Sequence, residues 1–311
     1  MSARVALGRK FAAEGAAPVA TSAKVLSVSR QSLYRTPCVP RTETGQRLPL
    51  RLVAPPLPAE WRTMELVPGL VDVETAIHVL ARRHVAAGYR MIRSRLKKRG
   101  YVVNRKKVAR LLKAWGFSRP AKKPHPKAQG KPFDITNPNV LWQTDMTSVW
   151  CGEDGWGYLT AVIDCFDRSI LGWSFELRCR AIDCSPAMTM AWATAFPHGQ
   201  DSDEDITVTL RHDNGTQFTS HHFREVADDL GITLSRTAYR HPDGNAFIER
   251  VFKTYKEEAV WPYDFQSFEE ARAEFKRWLI DYNEERPHSS LNDLTPAEAR
   301  AEALTNHKIA A

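Results

Sequence analysis

Three acidic side chains stand where they could do chemistry together. Asp145 lies in the half-apolar run WQTDMT, Asp213 follows the run DITVTLRH, and Glu249 sits in NAFIERVF. A carboxylate inside a half-buried strand needs a partner, because burying an uncompensated charge is costly. Three carboxylates that converge repel one another unless cations neutralise them. Hard oxygen ligands of this kind suit Mg²⁺ or Mn²⁺, which also take phosphate oxygens from a substrate. Two such ions, about 3.5–4 Å apart, activate an attacking oxygen and steady a leaving one in phosphoryl transfer. Each acid alone also has an ordinary use. Asp213 suits an Asx-type turn into Asn214-Gly215, Asp145 could satisfy backbone amides, and Glu249 could be a solvated helix residue.

The elements that must hold these residues can be read from periodicity. VLWQTDMTSVW, WGYLTAVIDCF and SILGWSFEL are strand-like and separated by short polar breaks, which predicts an antiparallel meander. AIDCSPAMTMAWATAF reads as a helix with Pro186 in its first turns, ITVTL as a strand, SHHFREVADDLG as a helix closed by Gly231, and ITLSRT as a strand. GNAFIERVFKTYKEE and SFEEARAEFKRWLIDYNEE then read as helices. Three meander strands followed by α-β-α-β-α is the element order of the ribonuclease-H-like fold. In that order the first and fourth strands are neighbours, and a later helix packs across them. The fold class expected is therefore α/β, a ribonuclease-H-like core with a mixed five-stranded sheet and flanking helices. Asp164 and Asp167, in VIDCFDRS, are rival carboxylates that a strand-to-strand turn would use structurally.

The front of the chain differs in kind. Of 44 Lys+Arg and 36 Asp+Glu, residues 1–131 hold 28 and 6, a net of +22, which leaves 16 − 30 = −14 for the remainder. Such a split suggests a polyanion-binding, all-α front end joined to an acidic domain. TSAKVLSVSRQSLYR reads as a capped helix pair, a helix-turn-helix over residues 1–36 with Arg30, Gln31 and Arg35 facing DNA. A Pro-rich linker follows over 37–69. Helical stripes from Val73, Ile77 and Leu80, from Ile92 and Leu96, and from Val108, Leu111 and Leu112 define a helical DNA-binding segment over 70–118. Asn104 is placed to cap its last helix, which opens Arg105-Lys106-Lys107, cations suited to phosphate at a helix N-terminus. A basic linker over 119–133, a catalytic core over 134–300 and a tail over 301–311 complete the division.

Asp145, Asp213 and Glu249, with 249 − 213 = 36, resemble the D,D(35)E triad of transposases and retroviral integrases. The chain is similar to insertion-sequence-3 family transposases in WQTDMT, HDNGTQFTS, GNAFIERVFKTYKEE and DYNEERPHSSLNDLTPAE. The likeness extends upstream to GYRMIRSRLKKRGYVVNRKKVARLLKAWGF and covers roughly residues 70–300. It implies a DNA transposase that binds the terminal inverted repeats of its element and acts as an oligomer on DNA. It also implies metal-dependent cleavage and strand transfer, with two Mg²⁺ or Mn²⁺ ions held by the triad and no covalent protein–DNA intermediate. It matches Lys256 to a basic residue two turns after the glutamate. Lys256 and Lys253 share the Glu249 face of a helix, so both are assigned to DNA, with a surface ion pair to Glu249 as the ordinary alternative. His212, Asn214 and Gln217 flank Asp213 as supporting or substrate-facing residues, or as plain turn residues. Gly215 is expected to let the backbone turn sharply.

Two other functions compete with the transposase reading. One is a ribonuclease-H-type nuclease, which would not need the basic front end. The other is a catalytically silent DNA-binding regulator, which would not need all three carboxylates. Five cysteines without a C-x-x-C pair argue against a disulfide framework or a cysteine zinc site. Charges at Arg4, Arg9, Lys10 and Glu14 break any signal-peptide core, and no run of about 18 apolar residues occurs. A cytosolic chain with no membrane partner is expected.

Overall fold

The computed structural model describes residues 59–117, 135–199, 207–237 and 242–310. The expected helix pair around Arg30, Gln31 and Arg35 lies outside them. The stretch 37–69, expected to be a linker, carries α1 (Ala59–Thr63), whose Trp61 packs with Leu66 against the core of the helical segment, and α2 (Val73–Arg83), α3 (Tyr89–Lys98) and α4 (Arg105–Ala114) follow. Ile77, Leu80, Ile92, Leu96 and Val108 are fully buried, so the three apolar stripes meet in one small core. Asp72 caps α2 by accepting from the Glu74 and Thr75 amides. Asn104 caps α4 by accepting from the Lys106 amide at 2.8 Å. Gly100 and Gly116 end α3 and α4 with φ of +82° and +76°, a backbone that side chains disfavour.

The remainder forms a five-stranded sheet of β1 (Leu141–Trp150), β2 (Trp156–Asp164), β3 (Ile170–Glu176), β4 (Thr209–His212) and β5 (Thr233–Arg236). Their order is β3-β2-β1-β4-β5. The β1, β2 and β3 strands pair antiparallel, as a meander must, while β4 and β5 join parallel beside β1. The sheet is therefore mixed, with the first and fourth strands adjacent.

Alternation along β1 divides its side chains between the two faces. Trp142 joins Leu210, Met188 and Phe223 under α5 (Ala181–Ala195) and α6 (His221–Asp229). Val149 joins the opposite layer beneath α7 (Ala246–Tyr255) and α8 (Phe268–Ile280). Asp145 is an even number of residues from Val149, so it shares the α7 face. Pro186 is the sixth residue of α5, deeper than its first turn. Gly172 of β3 lets α5 approach, since a Cβ there would meet the Ala187 carbonyl oxygen at 2.0 Å.

Two π-helical segments interrupt the end of the chain, Lys256–Val260 after α7 and Asp281–Glu285 after α8. The final helix, α9, spans Pro296–Ala310. From it Arg300 reaches Asp167 at 2.8 Å and Asp164 at 3.2 Å, and both acids are fully buried. These rival carboxylates are thus bound into the fold.

Candidate active site

Asp145 lies midway along β1, opposite Ala161 of β2. One of its oxygens accepts from the Met146 amide at 2.7 Å. Burial pushes its carboxyl up to about 7. The Met146 bond opposes that rise, the negative charges of Asp213 and Glu249 add to it, and Lys256 opposes it. Asp145 therefore feels both of the other sequence-predicted acids and the sequence-predicted lysine at once.

Asp213 leaves the sheet directly after β4, whose parallel pairing with β1 carries it to the Asp145 side. One of its oxygens accepts from the Gly215 amide at 2.8 Å, so the Asx turn is real. That turn uses one oxygen and aims the carboxylate. Gly215 has no positive φ, which corrects the expectation of a backbone need. Its need is for space, because a Cβ would meet Gln217 Nε2 at 2.5 Å and Asp213 Oδ1 at 2.9 Å.

Glu249 is in the first turn of α7 and exposed. Ile248, Val251, Phe252 and Tyr255 bury the opposite stripe of that helix. This leaves Glu249, Lys253 and Lys256 on one flank, with Lys253 exposed and Lys256 half-buried. The π segment begins at Lys256, so the helical register between Glu249 and Lys256 is intact.

The residues around Asp213 divide by role. His212 is 2% exposed, and its ring lies against Phe218 and Phe223. Its Nδ1 donates to the Asp213 carbonyl at 2.6 Å, and burial holds the imidazole below its ordinary value. His212 therefore backs the turn from within the core. Asn214 is exposed and donates to the Thr237 carbonyl at 3.3 Å, which ties the turn to the end of β5. Gln217 lies over Gly215.

Sequence reasoning missed one polar residue here, Gln143, whereas Pro242-Asp243-Gly244-Asn245 reads from the sequence as a turn and helix start that aims Glu249. Gln143 is fully buried and bonds Gly244 and the first amides of α7. Asn245 donates to the Thr144 carbonyl at 3.1 Å. The signal was present in WQTDMT, where a glutamine two positions before the aspartate must share its face.

Among the described residues, no three His, Cys, Asp or Glu side chains close into a metal-ligating cluster. The donor set still fits a hard divalent cation. Mg²⁺ is commonly held by one or two carboxylates plus substrate phosphates, not by a complete protein cage. A carboxyl raised to about 7 by burial, with the charges of Asp213 and Glu249 adding to the rise, also marks a place where positive charge is needed.

On the front segment, Arg105 and Lys106 are exposed at the N-terminus of α4, and its first turn has no acid. Lys107 is paired with Glu74 at 3.0 Å.

Integrase core domain families match residues 135–242 and 230–296, and an HTH-like domain family matches residues 72–125. The chain is 30% identical over 218 residues to the transposase InsF for insertion sequence IS3A of Escherichia coli, covering 65% of this chain and 73% of that one. It is 28% identical over 216 residues to the transposase for insertion sequence element IS904 of Lactococcus lactis, covering 64% and 81%. Against the putative transposase for IS986/IS6110 of Mycobacterium tuberculosis it is 28% identical, covering 75% and 88%. Among solved structures, the HTLV-2 integrase catalytic core domain in complex with magnesium aligns with a TM-score of 0.40 at 17% identity, covering 53% and 97%.

Proposed function

The chain belongs to the insertion-sequence-3 family of transposases, and on that premise we propose that Asp145, Asp213 and Glu249 are its catalytic, metal-binding trio. The enzyme is a DDE-type polynucleotidyl transferase with a DNA-binding HTH-like domain. That pairing removes the ribonuclease-H-type alternative. The single observation that carries the site is the Asp145 carboxyl, which Asp213, Glu249 and Lys256 all influence electrostatically.

The trio would hold Mg²⁺ or Mn²⁺, two ions in the full site, which when bound lower the barrier to attack on a phosphodiester. Asp145 and Asp213 present carboxylates from adjacent strands. Glu249 closes the site from the helix above, and its exposure leaves it open to a DNA strand. Lys256 sits near enough to Asp145 to act on its charge, and it neutralises DNA phosphate beside the cut. Lys253, one turn from Glu249, extends that contact. His212, Asn214 and Gln217 hold the Asp213 turn. Arg105, Lys106 and, less freely, Lys107 engage phosphates from α4, and Arg30, Gln31 and Arg35 supply further DNA contacts. Segment 70–118 thus binds the element's terminal inverted repeats, and segment 134–300 joins them to target DNA. The protein works in the cytosol as an oligomer on that DNA. No described helix is long and apolar enough to cross a membrane.

The test uses DNA flanking the gene as substrate. Asp145→Ala, Asp213→Ala or Glu249→Ala should abolish Mg²⁺-dependent joining while end binding persists. Normal joining by Asp213→Ala would sink the assignment. An unaltered chain that binds the ends but joins no DNA with Mg²⁺ present would restore the silent-regulator reading.

A further inference from the structure

We propose that Gln143 is a positioning residue that holds Glu249 in place relative to Asp145. The proposal rests on the catalytic reading of those two acids.

Gln143 is fully buried on β1, two residues before Asp145 and on the same face. Its side-chain Oε1 accepts from the Phe247 amide at 3.1 Å and the Ile248 amide at 3.2 Å. Its Nε2 donates to the Gly244 carbonyl at 3.1 Å. The first amides of a helix have no partner within the helix and are usually satisfied by the side chain just before it. Here that residue, Asn245, makes no capping bond. Its side chain instead donates down to the Thr144 carbonyl at 3.1 Å. The cap of α7 is therefore supplied by the strand that carries Asp145. Two crossed amide links fasten strand to helix, one on either side of the chain's approach to Glu249.

The position has no need of polarity for packing alone. An apolar residue would fill the layer that Val149 and Ile248 occupy. It would leave the Phe247 and Ile248 amides buried beneath the sheet-facing side without acceptors, a strong penalty. A glutamine here satisfies the helix start and sets its height over β1. Glu249 is the next residue after the second capped amide, so its carboxylate moves with that link.

The full chain tests this with three variants, Gln143→Leu, Gln143→Glu and Asp145→Asn. Mn²⁺ binding is read from loss of the free-ion electron paramagnetic resonance signal, and strand joining is measured on DNA flanking the gene. Gln143→Leu should weaken Mn²⁺ binding and slow joining at saturating DNA by about 100-fold, the scale of a displaced reacting group. DNA affinity should be unchanged. Gln143→Glu keeps an acceptor for both amides and should recover most of both losses. A Gln143→Leu protein that melts lower yet binds Mn²⁺ and joins DNA like the unaltered chain would overturn the proposal. Should Gln143→Leu not fold, a Gln143→Glu protein as impaired in Mn²⁺ binding as Asp145→Asn would overturn it equally. Normal joining by Asp145→Asn would topple the catalytic reading itself. An inactive Asp145→Asn beside a normal Gln143→Leu would remove only the positioning role.

Discussion

Arg95 and Asp281, 186 residues apart in sequence, meet as a two-pronged ion pair between α3 and the second π segment. The guanidinium nitrogens stand 2.9 and 2.6 Å from the two carboxylate oxygens. Arg95 is 2% exposed and the Asp281 side chain 19%, so the pair is largely buried. Arg99 to Glu285 at 2.8 Å and a contact from Lys98 to Glu298 continue the seam. Three cations of α3 are thereby committed to the catalytic core. Burial alone would raise the Asp281 carboxyl, but Arg95 and its neighbours hold it below its ordinary value. Removing one partner of a buried pair leaves the other charge uncompensated, at a cost of about 3–5 kcal/mol. Asp281→Asn should therefore lower stability by about 3 kcal/mol in chemical denaturation. Glu285→Gln, at a half-exposed position, should cost under about 1 kcal/mol. Equal losses would show that the buried pair is not what fastens the helical segment.

Asp145 should give the protein an unusual dependence on pH. Its carboxyl is lifted from an ordinary 3.8 to about 7, so the folded state holds a proton that the unfolded chain has released. That contribution to stability is full below about pH 4 and is lost as pH rises through about 7. In chelator, the melting temperature should fall between about pH 4 and 7. Asp145→Asn should flatten the slope. Mg²⁺ should restore stability at the upper end and do little at the lower end, because a metal ligand must be deprotonated. A melting temperature indifferent to Mg²⁺ at high pH would argue against a metal at Asp145.

Much of this was legible in the chain because it is local. Alternation in LWQTDMTSVW and WGYLTAVID, joined by a short polar break, leaves little choice but an antiparallel pair, and β1–β2 pair accordingly. Val73, Ile77 and Leu80 mark a helix face by spacing alone. Asn104 announces its helix because a cap is a contact between near neighbours. The features that stayed hidden depend on distant partners. Nothing in KEEAV distinguishes a π segment from an α-helix. The segment is held by Glu258, which accepts from Trp278 at 3.0 Å and Arg286 at 3.0 Å. Gln143 looks like any strand glutamine until α7 is laid over it. HDNG alone does not say whether His212 supports the turn or faces outward, and only the fold encloses it between Phe218 and Phe223.

The cations of α4 should be separable by salt. Each phosphate neutralised by a lysine or arginine contributes about 0.9 to the slope of log affinity against log salt. Arg105 and Lys106 are exposed, whereas Lys107 is paired with Glu74. Arg105→Ala with Lys106→Ala should reduce the slope by about 2, measured by fluorescence anisotropy on flanking DNA. Lys107→Ala should change it by less than either single replacement. A double variant with an unaltered slope would remove α4 from the DNA-contacting surface.

Two glycines should separate the site from the fold. At Gly172 a Cβ would meet backbone, with Ala187 O at 2.0 Å and Ala191 N at 2.5 Å. Backbone cannot yield there without lifting α5 from the sheet, so Gly172→Ala should lose cooperative unfolding. At Gly215 the clashing groups are the ends of side chains, Gln217 Nε2 at 2.5 Å and Asp213 Oδ1 at 2.9 Å. Gln217 can swing away. Asp213 can escape only by giving up its bond to the Gly215 amide and rotating from its present aim. Gly215→Ala should therefore fold with a stability loss of about 1 kcal/mol, the worth of one hydrogen bond. Its joining rate should drop by about 10- to 100-fold, as for a reacting group out of place. The deficit should lie in the rate at saturating DNA, because neither Gly215 nor Asp213 is among the residues assigned to DNA phosphates. Melting curves and single-turnover joining on the same preparation measure both quantities, and an active Gly215→Ala protein would mean that the Asx turn does not aim Asp213.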